Sequence, residues 1–212
     1  DSGTNNFSGA NMWNRETDLV AVGSGLGGLT AAIHGHDLGG EVLVLEKAPK
    51  SLRGGNSRFS GGLFRFAYES IEDIKQLRPD VAPEDWDRVE ADTYAPDRYL
   101  GDLVRTSRGQ SKHELLQVLT GQSYSTMLWM TELVIEWEWT PLWSVHSSDS
   151  LRFSPGTVLE VKNKGVGLVS YLFKAVEGTD IDVSYQAKVT GLLQDDRGIV
   201  RGVRVRTPDG LS

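Results

Sequence analysis

The sequence contains no cysteine, and this absence removes several kinds of chemistry at once. Disulfide bonds, thiolate zinc sites, cysteine-ligated iron–sulfur clusters and a cysteine nucleophile are all excluded for this chain. The absence of cysteine does not by itself determine the cellular compartment. We expect the protein to be cytoplasmic. No pair of histidines has metal-ligand spacing with a nearby carboxylate, so we expect no metal site.

Long apolar runs and a dense basic stripe are also missing. No stretch approaches the roughly 20 apolar residues needed to span a bilayer, and residues 1–16 lack the apolar core of a signal peptide, so we expect a flexible leader there. Lysine and arginine total 22 against 29 aspartates and glutamates, a net charge of -7. Because phosphate-tracking surfaces need clustered basic residues, nucleic acid is not an expected partner. A membrane is not expected either, because no apolar run is long enough to span one. A small molecule that carries phosphate must then be held mainly by backbone N–H groups.

Glycine, by contrast, is plentiful, with 24 residues, and the first glycine cluster follows a short apolar run. "TDLVAV" predicts a buried parallel strand, and Leu29, Ala32 and Ile33 then recur at helical spacing before a stop at Gly39. "EVLVLE" predicts the next strand. Strand, glycine turn, helix and strand within about 30 residues form a βαβ unit, so we expect an α/β fold with a Rossmann-like doubly wound sheet.

The first cluster has the spacing G-x-G-x-x-G at Gly23, Gly25 and Gly28, directly after the strand and at the start of the helix. Such a turn presents backbone N–H groups at a helix N-terminus, where they favour a pyrophosphate. A tight turn without a ligand is the alternative. The candidate cofactor site also includes the intervening residues Ser24, Leu26 and Gly27.

An acidic residue ends the second predicted strand. Glu46 lies 18 residues beyond Gly28, the place from which a carboxylate accepts hydrogen bonds from both hydroxyls of an adenosine ribose. Its charge would repel a 2′-phosphate, so NADP is disfavoured. A solvated glutamate at a strand end is the alternative.

The remainder of the chain predicts helices and a hairpin. Helical pieces are expected over about 70–150, with two helices that break around Gly121, and "GVGLVSYLFKAVEG" predicts an amphipathic helix. The stretch from "IDVSYQ" to "GVRVRT" alternates as antiparallel strands do and turns at "DDRG". We therefore expect an antiparallel β-hairpin after the helical excursion.

A second glycine cluster, "RGGNSRFSGG", covers residues 53–62. A nicotinamide dinucleotide is handled by the first βαβ unit and its sheet, whereas the longer FAD needs a further backbone cradle; a glycine loop without a ligand is the alternative. The cluster resembles the segment GG-N-[ST]-x-x-[AS]-x-G-G of flavoprotein subunits in the fumarate reductase and succinate dehydrogenase superfamily, with one residue fewer before the last glycine pair. Within that superfamily, "LRGGNSRFSGGLFR" is most similar to the tricarballylate dehydrogenase group, and the resemblance covers nearly all of the chain after Glu16.

The resemblance implies which residues contact FAD. It implies that Lys47 and Ala48 lie beside the adenosine, that Ser57 offers its hydroxyl to a phosphate, and that Val189 meets the adenine through its backbone. Membrane-bound members attach FAD covalently through a histidine at the position that Asn56 occupies here, so noncovalent FAD is expected. The remaining implied cradle residues are Gly55, Ser60, Gly61 and Gly62.

The resemblance also implies an activity. The implied activity is that of an FAD-dependent oxidoreductase that acts on a CH–CH bond of a di- or tricarboxylate such as tricarballylate, succinate or fumarate. Residues 17–212 are then expected to form the N-terminal part of the FAD-binding domain, and the capping domain and the catalytic residues are expected to come from a second chain or a missing C-terminal half. A nucleotide-binding module or split-protein chain without activity of its own, and a ketosteroid-type dehydrogenase of the same superfamily, are the alternatives.

The histidines and one arginine have ordinary explanations. His34, His36 and His113 are expected on helix surfaces or at a helix start, and His146, in a loop, is open between a pocket and the surface. Arg65 follows the second cluster and has the fork geometry to hold a carboxylate, with a surface role as the alternative.

Overall fold

The computed structural model gives the structure of most of the chain. It describes residues 14–140, 144–146, 150–156 and 158–211. The described chain divides into two compact units: the first contains the residues up to Arg58 and from Leu172 onward, and the second runs from Phe59 to Tyr171. Both units combine helices with strands, and the predicted α/β class is confirmed.

The helices and strands follow one another along the chain as listed here. The opening segment holds β1 (Leu19–Val22), α1 (Leu26–Asp37) and β2 (Val42–Glu46). The second unit holds β3 (Leu63–Arg65), α2 (Ile71–Leu77), β4 (Val89–Ala91), α3 (Pro96–Thr106), α4 (His113–Glu132), β5 (Trp137–Trp139), β6 (Ser144–His146), β7 (Leu151–Phe153) and β8 (Val158–Val161). The chain continues through α5 (Lys164–Glu177), β9 (Asp182–Tyr185), β10 (Lys188–Gln194), β11 (Val200–Thr207) and β12 (Gly210–Leu211).

The first unit is built on a parallel sheet in the order β1-β2-β9. The β1–β2 register runs from Leu19 opposite Val42 to Val22 opposite Leu45. Every residue of β2 is buried, which is typical of a parallel strand covered on both faces. The buried residues of α1 are Leu29, Ala32 and Ile33, the three that helical spacing predicts. The predicted βαβ unit is therefore confirmed.

The predicted hairpin is also present, with one correction. Strands β10 and β11 pair antiparallel, and β12 adds to β11. The segment before the hairpin does not join this sheet as the alternation predicts, because β9 pairs parallel with β2, with Leu43 opposite Asp182. Alternation reports which side chains share a face, and it is the same for parallel and antiparallel neighbours.

The hairpin and the parallel sheet share an apolar cluster. Leu43 and Leu45 of β2 and Ala187, just before β10, form its buried centre. Half-buried valines from three strands pack around it, namely Val20, Val189, Val203 and Val205. The cluster fixes the first residues of β10 against the sheet face, so the backbone at Val189 has a defined position.

In its described residues the second unit contains two small sheets, the helices α2, α3 and α4, and the first half of α5. Strands β3 and β5 pair antiparallel with β8 on either side of it, and β7 lies between β4 and β6. The short strands were not predicted, because three residues are too few to show a period of two. None of the helices described has the length and apolar composition needed to cross a bilayer.

Helix α4 corrects the predicted break at Gly121. One helix runs without interruption from His113 to Glu132. A glycine inside a helix costs about 1 kcal/mol relative to alanine, and the burial of Met127 and Met130 in the same helix offsets that cost. Packing of the helix therefore outweighs the local propensity at Gly121.

Candidate functional site

The first glycine cluster forms the first glycine segment, residues 23–28, which connects β1 to α1 by a short turn in the first unit. The Gly23 N–H donates to the Leu45 carbonyl at 2.8 Å, so the turn stays attached to β2. Gly25 is the N-cap of α1, and no side chain of its own caps the helix. The Leu26 N–H instead donates to the Ser57 hydroxyl at 2.9 Å. An oxygen from the second glycine segment therefore lies at the positive end of α1.

Close packing explains why Gly28 is a glycine. A Cβ at this position would lie 2.0 Å from the Gly23 carbonyl oxygen, far inside van der Waals contact. Gly25 faces the second segment, and a Cβ there would meet the Ser57 Oγ at 3.4 Å. At Gly27 a Cβ would meet nothing within 4 Å, so this face of the helix start is open.

Glu46 ends β2 with its carboxylate held by the chain. Its Oε2 accepts hydrogen bonds from the Ser24 N–H at 2.8 Å and from the Ser24 hydroxyl, and its Oε1 accepts one from the Ala48 N–H at 2.7 Å. Burial by itself would raise the pKa of Glu46, but these hydrogen bonds and the Lys47 charge outweigh it and lower the pKa below its ordinary value. The residue is buried, so the alternative of a solvated glutamate does not describe it.

The carboxylate retains acceptor capacity for a ligand. An ionised carboxylate offers about four lone-pair sites, and the three hydrogen bonds from Ser24 and Ala48 occupy two on Oε2 and one on Oε1. One site on Oε1 is left by these contacts. That count fits one hydroxyl of a ribose, whereas the sequence suggested both.

The second glycine segment is the cluster at residues 53–62, and its first half lies against the first segment. The Gly54 N–H donates to the Ser24 hydroxyl at 3.1 Å, and Ser57 caps α1 as described above. Gly55 and Asn56 are exposed in the same stretch, as is Lys47 beyond β2. The structure therefore brings the first glycine turn, Glu46 and residues 54–57 together in the first unit.

An arginine holds this second segment in place. The Arg53 Nη1 donates to the Glu177 carboxylate at 3.1 Å and to the Tyr185 hydroxyl at 3.2 Å. Its guanidinium also stacks 3.8 Å from the centre of the Phe173 ring, a cation–π arrangement. This role of Arg53 could not be recognised from the sequence, because its partners lie more than a hundred residues away along the chain.

The last part of the second cluster belongs to the second unit. The Ser60 carbonyl accepts from the Gly165 N–H at 3.1 Å, and the Gly62 carbonyl accepts from the Val161 N–H at 2.8 Å. Gly62 has φ +65°, and a Cβ there would lie 2.8 Å from the Lys164 carbonyl carbon. Packing on the start of α5 thus accounts for glycine at this position. Gly61 lacks that constraint, since a Cβ there would meet only the Leu63 side chain, at 3.5 Å.

The remaining candidates have ordinary surroundings. The His36 Nε2 lies 3.0 Å from the Asp180 carboxylate, and His34 is exposed on the same helix. The Arg65 carbonyl accepts from the Tyr99 hydroxyl at 3.4 Å, and the prediction of a carboxylate partner for its side chain stays a prediction. His146 is the last residue of β6 and not part of a loop as predicted, and its side chain lies outside the described residues. Within the described part of the chain no group of three or more histidines or acids is placed to hold a metal.

This arrangement defines a dinucleotide-binding α/β domain: a parallel βαβ unit, a glycine turn at a helix N-terminus and a buried acid at the end of the second strand. The family described as FAD binding domain matches residues 18–211. The chain therefore belongs to the FAD binding domain family, and FAD is its cofactor. The open helix start at Gly27 and the remaining acceptor site of Glu46 fit a dinucleotide with an adenosine end.

Curated relatives agree with this assignment. The chain is 28% identical over 201 residues to digoxin reductase of Eggerthella lenta, and the alignment covers 91% of this chain and 33% of that protein. It is 25% identical over 191 residues to the cytochrome-type fumarate reductase of Shewanella frigidimarina, and the alignment covers 89% of this chain and 29% of that protein. The chain thus spans about a third of the length of these relatives. The predicted fumarate reductase and succinate dehydrogenase superfamily is confirmed.

Solved structures show the same fold at low identity. A 3-ketosteroid-Δ4-(5α)-dehydrogenase from Rhodococcus jostii superposes with a TM-score of 0.71 at 19% identity, over 95% of this chain and 44% of that one. The open conformation of a flavocytochrome c3 fumarate reductase gives a TM-score of 0.69 at 22% identity, over 92% of this chain and 31% of that one. Likeness at this identity supports the fold and leaves the substrate to other arguments.

Proposed function

We propose that this chain is the FAD-binding portion of a flavin-dependent oxidoreductase that acts on a CH–CH bond of a di- or tricarboxylate. The observation that carries the proposal is the junction of the two glycine segments at the start of α1, where Ser24 and Ser57 join them by hydrogen bonds. A nicotinamide dinucleotide needs only the first segment, so the second supports a longer cofactor. The fumarate reductase among the curated relatives supports a dicarboxylate substrate, with tricarballylate as the related tricarboxylate.

The residues of this chain bind and orient the cofactor. Bound FAD supplies hydride exchange with a carbon–carbon bond. Backbone N–H groups of the first glycine turn would hold the diphosphate, and Glu46 would accept a hydrogen bond from a ribose hydroxyl. Lys47 and Ala48, which follow Glu46, would lie beside the adenosine. The apolar cluster holds the start of β10, from which Val189 would meet the adenine through its backbone.

The substrate-binding and proton-carrying residues belong to another part of the enzyme in this proposal. The curated relatives are about three times as long as the chain, which leaves room for a capping domain. We infer that this domain, on the same polypeptide or a second chain, supplies the wall that places substrate and excludes water. The boundary after residue 16 stays a prediction, although Arg15, just before it, pairs with the carboxylates of Glu41 and of Asp182 in β9.

Turnover with carboxylate substrates tests the proposal. We expect the full-length protein, loaded with FAD, to reduce fumarate with a reduced artificial donor, or to oxidise succinate or tricarballylate with an artificial acceptor. Rates on the order of 1 to 1,000 per second are ordinary for enzymes. A matched assay without substrate measures background consumption of the donor. A flavin-loaded protein that turns over none of the three acids would contradict the proposed substrate class.

A second candidate is an enzyme that reduces a bulkier neutral substrate. It rests on the digoxin reductase, whose identity of 28% is slightly above the 25% of the fumarate reductase. The same assay therefore includes digoxin and a 3-ketosteroid. Turnover of either, with no turnover of the acids, would favour this candidate over the first.

We expect the flavin to be noncovalent. Asn56 stands where the membrane-bound members of the superfamily have the linking histidine, and an amide side chain forms no such bond. Acid precipitation of the yellow protein should release all flavin absorbance into the supernatant. Flavin fluorescence that stays with the polypeptide on a denaturing gel would show that another residue forms the bond.

A further inference from the structure

Ser24 connects three parts of the FAD site without being accessible itself. Its side chain is fully buried in the turn between β1 and α1. The hydroxyl donates to Glu46 Oε2 and accepts from the Gly54 N–H at 3.1 Å. The Ser24 N–H donates to the same carboxylate oxygen at 2.8 Å. One small residue therefore touches the first glycine turn, the acid after β2 and the start of the second glycine segment.

The Ser24 hydroxyl has no hydrogen left to donate to a phosphate. A serine hydroxyl carries one hydrogen, and in Ser24 that hydrogen is directed to Glu46. The sequence places Ser24 among the residues that contact the cofactor, but a buried hydroxyl whose proton is already donated is poorly suited to that role. Its contacts indicate that it acts on FAD through its neighbours.

The contacts of Ser24 also fix the orientation of the Glu46 carboxylate. Two donors on Oε2 and one, from Ala48, on Oε1 fix the plane of the carboxylate and direct the remaining acceptor site of Oε1. The bond to Gly54 at the same time fixes the backbone where the second segment begins. A change at Ser24 thus reaches both the adenosine side and the diphosphate side of the site.

We propose that Ser24 is a positioning residue for FAD, which orients the Glu46 carboxylate and fixes the Gly54 backbone so that the two glycine segments bind the cofactor as one unit. The proposal rests on FAD as the cofactor and is independent of the substrate. It predicts that Ser24 and Glu46 contribute to FAD affinity jointly, and that the contribution of either is largely lost when the other is removed.

A double-mutant cycle on FAD affinity tests the proposal. Apo-forms of the full-length wild type, Ser24→Ala, Glu46→Gln and the double variant are titrated with FAD, and binding is followed by flavin fluorescence. We expect each single change to weaken binding about tenfold, the scale of losing a hydrogen bond to a charged group. The double variant should be weakened much less than the product of the two single effects. Strictly multiplicative effects, or unchanged affinity in Ser24→Ala, would overturn the proposal.

The pH dependence of FAD affinity gives an independent measurement. FAD binding to the wild type should weaken as the pH falls through the lowered pKa of Glu46, because a protonated carboxyl has less acceptor capacity. Without the Ser24 hydroxyl that pKa rises, so the loss should begin at a higher pH in Ser24→Ala. Lys47 is the charged group that acts on Glu46, and Tyr185 lies opposite Glu46 in β9. The elements packed against β2 also carry the titratable groups of His34, His36, Asp37, Asp182 and Lys188, and all of these groups are unchanged in the variant. A superimposable acid limb would contradict the proposal.

Ser123 provides a matched control. It is also a buried serine with two hydrogen bonds, since its hydroxyl accepts from the Ala67 N–H and donates to the Thr120 carbonyl, both at 2.9 Å. It lies in the second unit, outside the glycine segments. Ser123→Ala should lower the melting temperature of the apo-protein about as much as Ser24→Ala does and leave FAD affinity unchanged. Equal losses of FAD affinity in the two variants would mean that Ser24 is merely structural.

Ser24→Cys keeps the test decisive if Ser24→Ala does not fold. The thiol has nearly the size of the hydroxyl and is a weaker donor. We expect an FAD affinity between those of the wild type and Glu46→Gln, together with a smaller coupling to Glu46. Wild-type affinity in a folded Ser24→Cys would overturn the proposal, because the geometry requires the donor strength of the hydroxyl.

Discussion

Replacing Gly28 by alanine is expected to abolish FAD binding and to lower the free energy of unfolding by about 3 kcal/mol, the upper part of the range for overpacking. The added Cβ would lie 2.0 Å from the Gly23 carbonyl oxygen. Neither backbone can yield easily, because the Gly23 N–H is bonded to Leu45 at 2.8 Å and α1 is packed through Leu29. Chemical denaturation of the apo-protein measures the stability, and FAD titration measures the affinity.

Gly27→Ala is the matched control for this variant. The same atom is added one residue earlier, where nothing lies within 4 Å. Alanine is favoured over glycine in a helix by about 1 kcal/mol, so stability should be unchanged or slightly higher. Weaker FAD binding in this stable variant would show that the cofactor lies close to the backbone at Gly27. A Gly28→Ala protein as stable as the wild type would show that the turn opens without cost and would contradict the packing argument.

The local parts of the site could be predicted from sequence, because their geometry depends on near neighbours. The turn at Gly23, Gly25 and Gly28 links a strand and a helix that follow each other directly, so spacing alone determines the contact. The spacing within the same βαβ unit also indicates Glu46 as the acid at the end of the second strand. The chemistry of a phosphate site at a helix N-terminus needs no distant residue.

Contacts between distant segments could not be predicted in this way. Arg53 meets Phe173, Glu177 and Tyr185 only after the chain has passed through the second unit and returned. Nothing in the letters around Arg53 distinguishes it from a surface arginine. The same limit applies to β9, whose parallel pairing with β2 depends on the crossover through α5.

The role of Ser24 lies between these two cases. That Glu46 lies beside Ser24 could be expected from the sequence, because neighbouring parallel strands end at the same edge of a sheet, and the observed β1–β2 register agrees with this. A small hydroxyl residue beside a buried acid is a recognisable signal, since buried carboxylates need donors. The bond from Gly54 carries no such signal and needed the structure.

The second large effect is expected at Gly62. Gly62→Ala should lower the free energy of unfolding by about 3 kcal/mol, from roughly 1 kcal/mol for a left-handed residue with a Cβ and the rest from overpacking. The residue has φ +65°, and its added Cβ would lie 2.8 Å from the Lys164 carbonyl carbon, at the start of α5. Denaturation of the apo-protein measures this loss directly. A Gly62→Ala protein with wild-type stability would mean that α5 shifts freely away from the loop.

Gly61→Ala separates packing from cofactor binding in this pair. The added Cβ would meet only the flexible Leu63 side chain, at 3.5 Å, which is ordinary contact. Stability should therefore change little, and any loss of FAD affinity must come from the cofactor itself. A stable Gly61→Ala variant with weakened binding would support the implied cradle, because the backbone there would need to approach FAD closely. Unchanged binding would remove Gly61 from the site and leave the second cluster to act through residues 54–57, where hydrogen bonds already tie it to the first.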